Sequence, residues 1–343
     1  MTDFTTLPKG LPVPRDDGAA DHLPGTLRGL ALAALVANVV IVVTGGAVRL
    51  TGSGLGCPTW PSCTDASLTP TREYAVHGVI EFANRQLTFV LSAVVLATLV
   101  VAVLARRQVR LAALVAASIP AQAVLGGITV LTHLNPWTVA AHFLLSMLII
   151  AAAFALWWRL RADAGTPADP AGSRATGSRM AGSRMAGSRM AGSAALRAAA
   201  WAILALTAAV LAVGTVVTGS GPHAGDKGAT NRIAFDPAAV SQLHADLVML
   251  LIGVSLCFAV LAGAAGASDR LRRAGWLLVG VELAQGLIGF VQYFTHVPAV
   301  LVGLHMLGAC LVWLAALTVL ALAVAAPART GHVLTKPLAG QRR

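Results

Sequence analysis

The chain alternates long apolar runs with short polar breaks. Eight runs reach about 18 residues or more, the length needed to cross a bilayer. They predict helices near 28–49, 84–105, 111–131, 138–160, 195–218, 240–265, 272–293 and 299–325. The first 26 residues are polar and rich in Pro, Asp and Gly, so a removable signal peptide is not expected. The first apolar helix then serves as its own insertion signal. The pattern predicts an all-α polytopic membrane protein with eight transmembrane helices.

One break is longer than the others. Residues 161–194 carry a period-five repeat, Gly-Ser-Arg-Met-Ala, across 172–192, with too little apolar content to pack. They are expected to form a disordered cytoplasmic linker between two four-helix bundles, residues 28–160 and 195–325. A cytoplasmic N-terminal tail, 1–27, and a basic cytoplasmic tail, 326–343, flank the pair.

The two halves repeat one another. Gln122, His133 and His142 lie at offsets of 11 and 9 residues, and Gln285, His296 and His305 repeat both offsets. Thr51-Gly52-Ser53-Gly54 is echoed by Thr218-Gly219-Ser220-Gly221, each following an apolar run. The match fails at one place: His244 of the second half corresponds to Asn84 of the first. A duplicated scaffold with unequal ligands predicts two related sites with different tasks.

Composition supports this picture. The chain of 343 residues is 57% hydrophobic and only 11% charged, with a mean hydropathy of +0.76. Arg106, Arg107, Arg110, Arg159, Arg161, Arg270, Arg272 and Arg273 edge one set of loops, whereas the alternate loops hold only Arg72, Lys227 and Arg232. The excess of positive charge on cytoplasmic loops places both termini in the cytoplasm and the Thr-Gly-Ser-Gly loops outside. The net charge of +11 sits at helix edges and tails rather than on a folded face, so nucleic acid is not an expected partner. The lipid bilayer is.

Ionisable groups inside membrane helices are costly and point to function. Here they are Glu81, Arg85, His142, His244 and His305, with His77, His133, His223 and His296 near the outer boundary. Two neutral imidazoles at one depth on facing helices, His244 and His305, suit a six-coordinate haem iron. The competing reading is a pair of core histidines bonded to neighbours. In the first half His142 corresponds to His305, while Asn84 offers an amide, a poor iron ligand. His77, Glu81 and Arg85 are each one helical turn apart and share a face. They form either an anchoring Glu–Arg ion pair or a carboxylate placed beside a reacting group. Glu282, and Asp246 beside His244, are weaker acidic candidates. Arg49 has two readings, a partner for a haem propionate or a snorkelling interface arginine. His133 and His296 are likewise propionate partners or boundary residues. Cys57 and Cys63 bracket a short outer loop where a disulfide is the default, structural or redox-active. Cys257 and Cys310 read as packing thiols.

The segment Gly45-Gly46-Ala47-Val48-Arg49-Leu50-Thr51-Gly52-Ser53-Gly54-Leu55-Gly56-Cys57-Pro58, followed by Ile80-Glu81-Phe82-Ala83-Asn84-Arg85 and by His142, His244 and His305, resembles the haem A synthase family of membrane oxidoreductases. The likeness spans roughly residues 28–325. It implies two pseudo-symmetric four-helix bundles. It also implies an activity: oxidation of a ring methyl of haem O, by successive hydroxylations, to the formyl group of haem A for cytochrome oxidase. By resemblance, His244 and His305 hold a haem b cofactor in the C-terminal half. The N-terminal half then takes the substrate haem, with Glu81 as catalytic carboxylate, His142 as iron ligand, and Asn84, Arg85 and Arg49 as further binding residues. Cys57 and Cys63 match a cysteine pair found in many members. Implied partners are a haem O synthase and an electron acceptor, with homo-oligomerisation left open. Many members carry histidine at the Asn84 position, so the substrate iron here is expected to be held from one side. The principal alternative is a dihaem b electron-transfer cytochrome without haem-modifying activity, and a haem carrier is a third.

Overall fold

The computed structural model describes residues 17–72, 75–164, 183–223, 225–226 and 231–325. Eight helices make up most of them: α1 (Asp17–Leu50), α2 (Ala75–Leu104), α3 (Val109–Leu131), α4 (Pro136–Ala164), α5 (Ser183–Ser220), α6 (Pro237–Ala264), α7 (Asp269–Phe294) and α8 (Ala299–Ala325). All eight contain a stretch long and apolar enough to span a membrane. The chain is thus a multi-pass membrane protein of the expected all-α class. A helix satisfies its own backbone hydrogen bonds, which a bilayer interior demands.

Three boundaries differ from expectation. α2 starts at Ala75, about three turns before the apolar run, because the polar side chains of its first turns find partners in the preceding loop. α5 starts at Ser183, within the stretch expected to be a disordered linker up to 194. Ala, Met and Arg favour helix, and an existing helix extends without a new nucleation cost. α1 likewise starts at Asp17, inside the expected tail, and carries Pro24 within it. Residues 165–182 of the linker, residues 1–16 and the basic tail 326–343 lie outside the described residues.

Packing follows the sequence repeat. α1 packs on α2, α2 on α3, α3 on α4, and α1 closes the ring on α4; α5 to α8 repeat this ring. In each bundle the second and fourth helices therefore stand diagonally across the centre. The bundles meet through α1–α8, α4–α5 and α4–α8. Exchanging the halves turns the first contact into the second and leaves the third unchanged, so a pseudo-twofold axis runs between α4 and α8. Four spans per half make the repeats parallel and set that axis along the membrane normal.

Close approach holds the seam, as expected where lipid removes any hydrophobic drive between helices. Met306 of α8 lies against Gly46 of α1, where a Cβ would overlap the thioether. Trp313 of α8 donates its indole N–H to the carbonyl of Met147 on α4 at 2.9 Å. The turns after α3 and α7 are also duplicated. His133 and Leu134 have φ of 51° and 57°, and His296 and Val297 both have φ of 60°. Leu134 N donates to Thr129 O at 2.8 Å, and Val297 N to Gln292 O at 2.7 Å, closing both helix ends alike.

Candidate functional site

In the second bundle, α6 and α8 carry His244 and His305 to facing positions across the centre. Their ring centroids are 6.5 Å apart and their planes 62° from each other. Two metal–imidazole bonds of about 2 Å each, plus ~1 Å from ring centre to nitrogen on either side, give a separation of roughly 6 Å. The spacing therefore fits one metal centre between the rings. Nδ1 of His305 is buried and has no hydrogen-bond partner among the described residues, which is not how a satisfied core histidine behaves. The rings are placed by glycines. A Cβ on Gly214 of α5 would come within 3.1 Å of the His244 ring, and one on Gly289 of α7 within 3.3 Å of the His305 ring. Gln285 fixes the backbone, donating to the carbonyl of His305 at 2.6 Å.

The first bundle repeats half of this. Gln122 donates to the carbonyl of His142 at 2.9 Å and also bonds Ser146. Gly126 leaves room for the His142 ring, which a Cβ there would approach to 3.1 Å, and Nδ1 of His142 is buried without a partner. The repeated offset from glutamine to histidine thus has a physical cause: glutamine holds the histidine's turn, and the glycine four residues later admits its ring. The repeated Gln122–Gly126 and Gln285–Gly289 spacings carry that signal in the sequence. On the diagonal helix stands Asn84, whose Nδ2 is 3.9 Å from where a Cβ of Gly45 would lie, and whose Oδ1 is buried and unpaired. The half therefore offers one imidazole and one amide.

Above it lies the loop closed by the Cys57–Cys63 disulfide, with Cα atoms 4.3 Å apart. The expected stripe His77, Glu81, Arg85 runs along α2 beneath this loop. His77 Nδ1 bonds Ser53 Oγ at 2.9 Å. Glu81 is buried; one carboxylate oxygen accepts the Cys57 N–H at 2.6 Å, and the other accepts Arg85 at 2.6 and 3.2 Å. Arg85 further donates to the carbonyls of Cys57 at 2.9 Å, Thr59 at 3.1 Å and Ser62 at 3.2 Å. All five guanidinium N–H groups are thereby engaged. Trp60, in the same loop, covers Gly127 of α3, beside the glycine that admits His142.

Arg49 reaches across the seam. Its Nε donates to the carbonyl of His223 at 2.8 Å and its Nη2 to that of Thr218 at 3.2 Å. His223 in turn bonds Val297 O at 2.9 Å, and Gly54 N donates to Gly225 O at 2.8 Å. The loops of the two halves are interlocked, a feature the sequence repeat did not announce. His133 and His296 are exposed at their turns. Cys310 is buried, as a packing thiol should be, whereas Cys257 is exposed on the outside of its bundle. Among the described residues no cluster of three or more His, Cys, Asp and Glu side chains could hold a bare metal ion. A metal whose remaining ligands come from a macrocycle would need only two protein donors, and the facing imidazoles have a spacing that fits them.

A protein of Lysinibacillus sphaericus named heme A synthase is 35% identical over 138 residues, 38% of this chain and 43% of that relative, so the alignment spans less than half of its length. The family described as cytochrome oxidase assembly protein (COX15-CtaA) matches residues 28–317, from the first membrane helix to the last. By that match the chain belongs to the cytochrome oxidase assembly protein family.

Proposed function

We propose that the chain is a haem A synthase, oxidising a ring methyl of haem O to a formyl group. One observation carries the reading: the duplicated site is unequal, with facing imidazoles in one bundle and His142 opposite Asn84, beside Glu81, in the other. The named relative supports it.

His244 and His305 are the residues that would hold a haem b. Bound there, it would supply one-electron transfer to and from the substrate half. The remaining work belongs to the first bundle. His142 binds the substrate iron from one side, and Asn84 leaves the other face weakly held, which favours product release. Each hydroxylation removes two electrons from the methyl carbon, adds an oxygen atom and releases protons; the second gives a geminal diol that loses water. A carboxylate beside the methyl stabilises positive charge there or accepts a proton from the attacking water. Glu81, its carboxylate held by the Cys57 N–H and Arg85, is the residue assigned this role. Arg85 acts through the loop and the carboxylate and so is a positioning residue. Arg49, anchored by the carbonyls of His223 and Thr218, is the residue that would meet a propionate. The arginine distribution supports an orientation with the disulfide loop outside the plasma membrane and the termini in the cytoplasm. A haem O synthase would deliver the substrate and a separate acceptor would take the electrons.

Extraction of haems from the purified protein, with pyridine haemochrome spectra and mass analysis, tests this. Haem b together with haem O, haem A or a hydroxylated intermediate is the expected result. Haem b alone in both halves would establish the electron-transfer cytochrome instead.

A further inference from the structure

The second bundle contains a buried carboxyl group that neither haem ligation nor the methyl chemistry uses. Glu282, in the middle of α7, is 3% exposed. Its Oε1 accepts the Ser255 hydroxyl of α6 at 2.9 Å, and its Oε2 is buried with no partner among the described residues. The helix repeat places Ile119 and Val95 at the matching positions of the first bundle. The same fold thus packs there with two apolar side chains, so the polar pair is not a requirement of the scaffold.

Among the described residues, neither helix packed against α7 carries a Lys or Arg. The elements packed against α7 are α6 and α8. Their ionisable groups are His244, Asp246 and the exposed Cys257 on α6, and His305 and the buried Cys310 on α8. On α7 itself, Asp269, Arg270, Arg272 and Arg273 lie in its first turns and Tyr293 at its far end. Glu282 is seven residues from Gly289, the residue against the His305 ring, or about 10 Å along the helix axis. Gln285, one turn from Glu282, holds the His305 carbonyl. A charge on the metal held by His244 and His305 is therefore the nearest positive charge that an ionised Glu282 could meet. In a low-dielectric interior two charges at that range still interact appreciably.

We propose that Glu282 is a redox-linked proton site: it takes up one proton when the iron between His244 and His305 gains an electron, and releases it on reoxidation. The balance is one electron and one proton in, one neutral carboxylic acid and one reduced iron out. In the cell the electron comes from the substrate half. Ser255 orients the carboxyl group, and the sealed Oε2 is the atom that carries the proton. The inference rests on the haem b assignment above.

Redox titration of the purified holoprotein across a pH series tests it, with dithionite and ferricyanide as reductant and oxidant. The midpoint potential of the bis-histidine haem should fall as pH rises in the wild type. In Glu282→Gln it should be flat and lie at the wild type's low-pH value, with the bis-histidine spectrum unchanged. Ser255→Val with Glu282→Ile, the pair found in the first bundle, should behave as Glu282→Gln does. Reduced-minus-oxidised infrared spectra should show a protonated-carboxyl stretch that Glu282→Gln abolishes. A wild-type potential independent of pH, or the same slope in Glu282→Gln, overturns the proton site while leaving the haem assignment standing. A protein that binds no bis-histidine haem overturns both.

Discussion

Replacing Arg85 with Met would remove the guanidinium that joins Glu81 to the disulfide loop while keeping much of the side chain's bulk. Three loop carbonyls, those of Cys57, Thr59 and Ser62, would lose their donor, and Glu81 would lose its counter-charge. The ion pair is largely buried, with 21% and 7% of the two side chains exposed. Removing one member of a buried pair costs about 3–5 kcal/mol. The loop can open locally and let water reach Glu81, so the lower figure, ~3 kcal/mol, is the appropriate one, and it falls on loop opening rather than on the fold. At about 1.4 kcal/mol per tenfold, amide exchange over residues 57–63 should rise more than a hundredfold. Arg85→Lys retains the charge but not the five-donor fork, and an intermediate increase of roughly tenfold is expected. Hydrogen exchange read by mass spectrometry on the detergent-solubilised protein measures this directly, with α4 and α8 peptides as internal controls. Exchange within threefold of wild type in Arg85→Met would refute the clamp.

Glu81→Gln should retain haem while abolishing haem A formation, and its amide N–H₂ would oppose either the Cys57 N–H or Arg85, so loop exchange should rise as well; full activity would remove Glu81 from the chemistry. Asn84→His should give the substrate haem a bis-histidine spectrum and slow product release; an unchanged spectrum and turnover would end the one-sided ligation idea. Gly46→Val should lower thermal stability by about 1–3 kcal/mol through overlap with Met306, and Met306→Ala in the same chain should restore most of it; failure to restore would mean that the two do not share the seam. Gly289→Ala should tilt the His305 ring and shift the haem's electron paramagnetic resonance signals with protein yield maintained, whereas Gly286→Ala, where a Cβ would meet nothing, should not.

Much of the architecture was legible because membrane insertion writes it into composition. Eight apolar runs, a polar gap and a repeated set of motifs were enough to expect two four-helix bundles, and the ring of helix contacts bears this out. Element ends were less legible. Hydropathy treats His77 and Glu81 as a break, yet a helix tolerates them when a loop supplies partners. Facing imidazoles could be read from register, since His244 and His305 follow helix starts on the same side. Of the glycines behind the rings, Gly126 and Gly289 are legible through their repeat four residues after a matched glutamine, whereas Gly214 has no such mark. Least legible were the contacts that depend on distant backbone, such as Arg49 with the carbonyls of Thr218 and His223. Carbonyl acceptors exist at every residue and leave no mark in the side-chain pattern.

The parallel repeat also has an electrical consequence. His142 and His305 are each the seventh residue of helices that begin on the same face and pack together about the pseudo-twofold axis. An electron passed between centres at these two positions moves sideways, in the plane of the bilayer. Crossing the membrane would cost or yield about 2.3 kcal/mol for each 100 mV of transmembrane potential, but a lateral step has almost no component along that field. The electron exchange proposed between the two halves should therefore run at the same rate in an energised and a de-energised membrane. Any voltage sensitivity of turnover would then have to enter with protons or with the external electron acceptor.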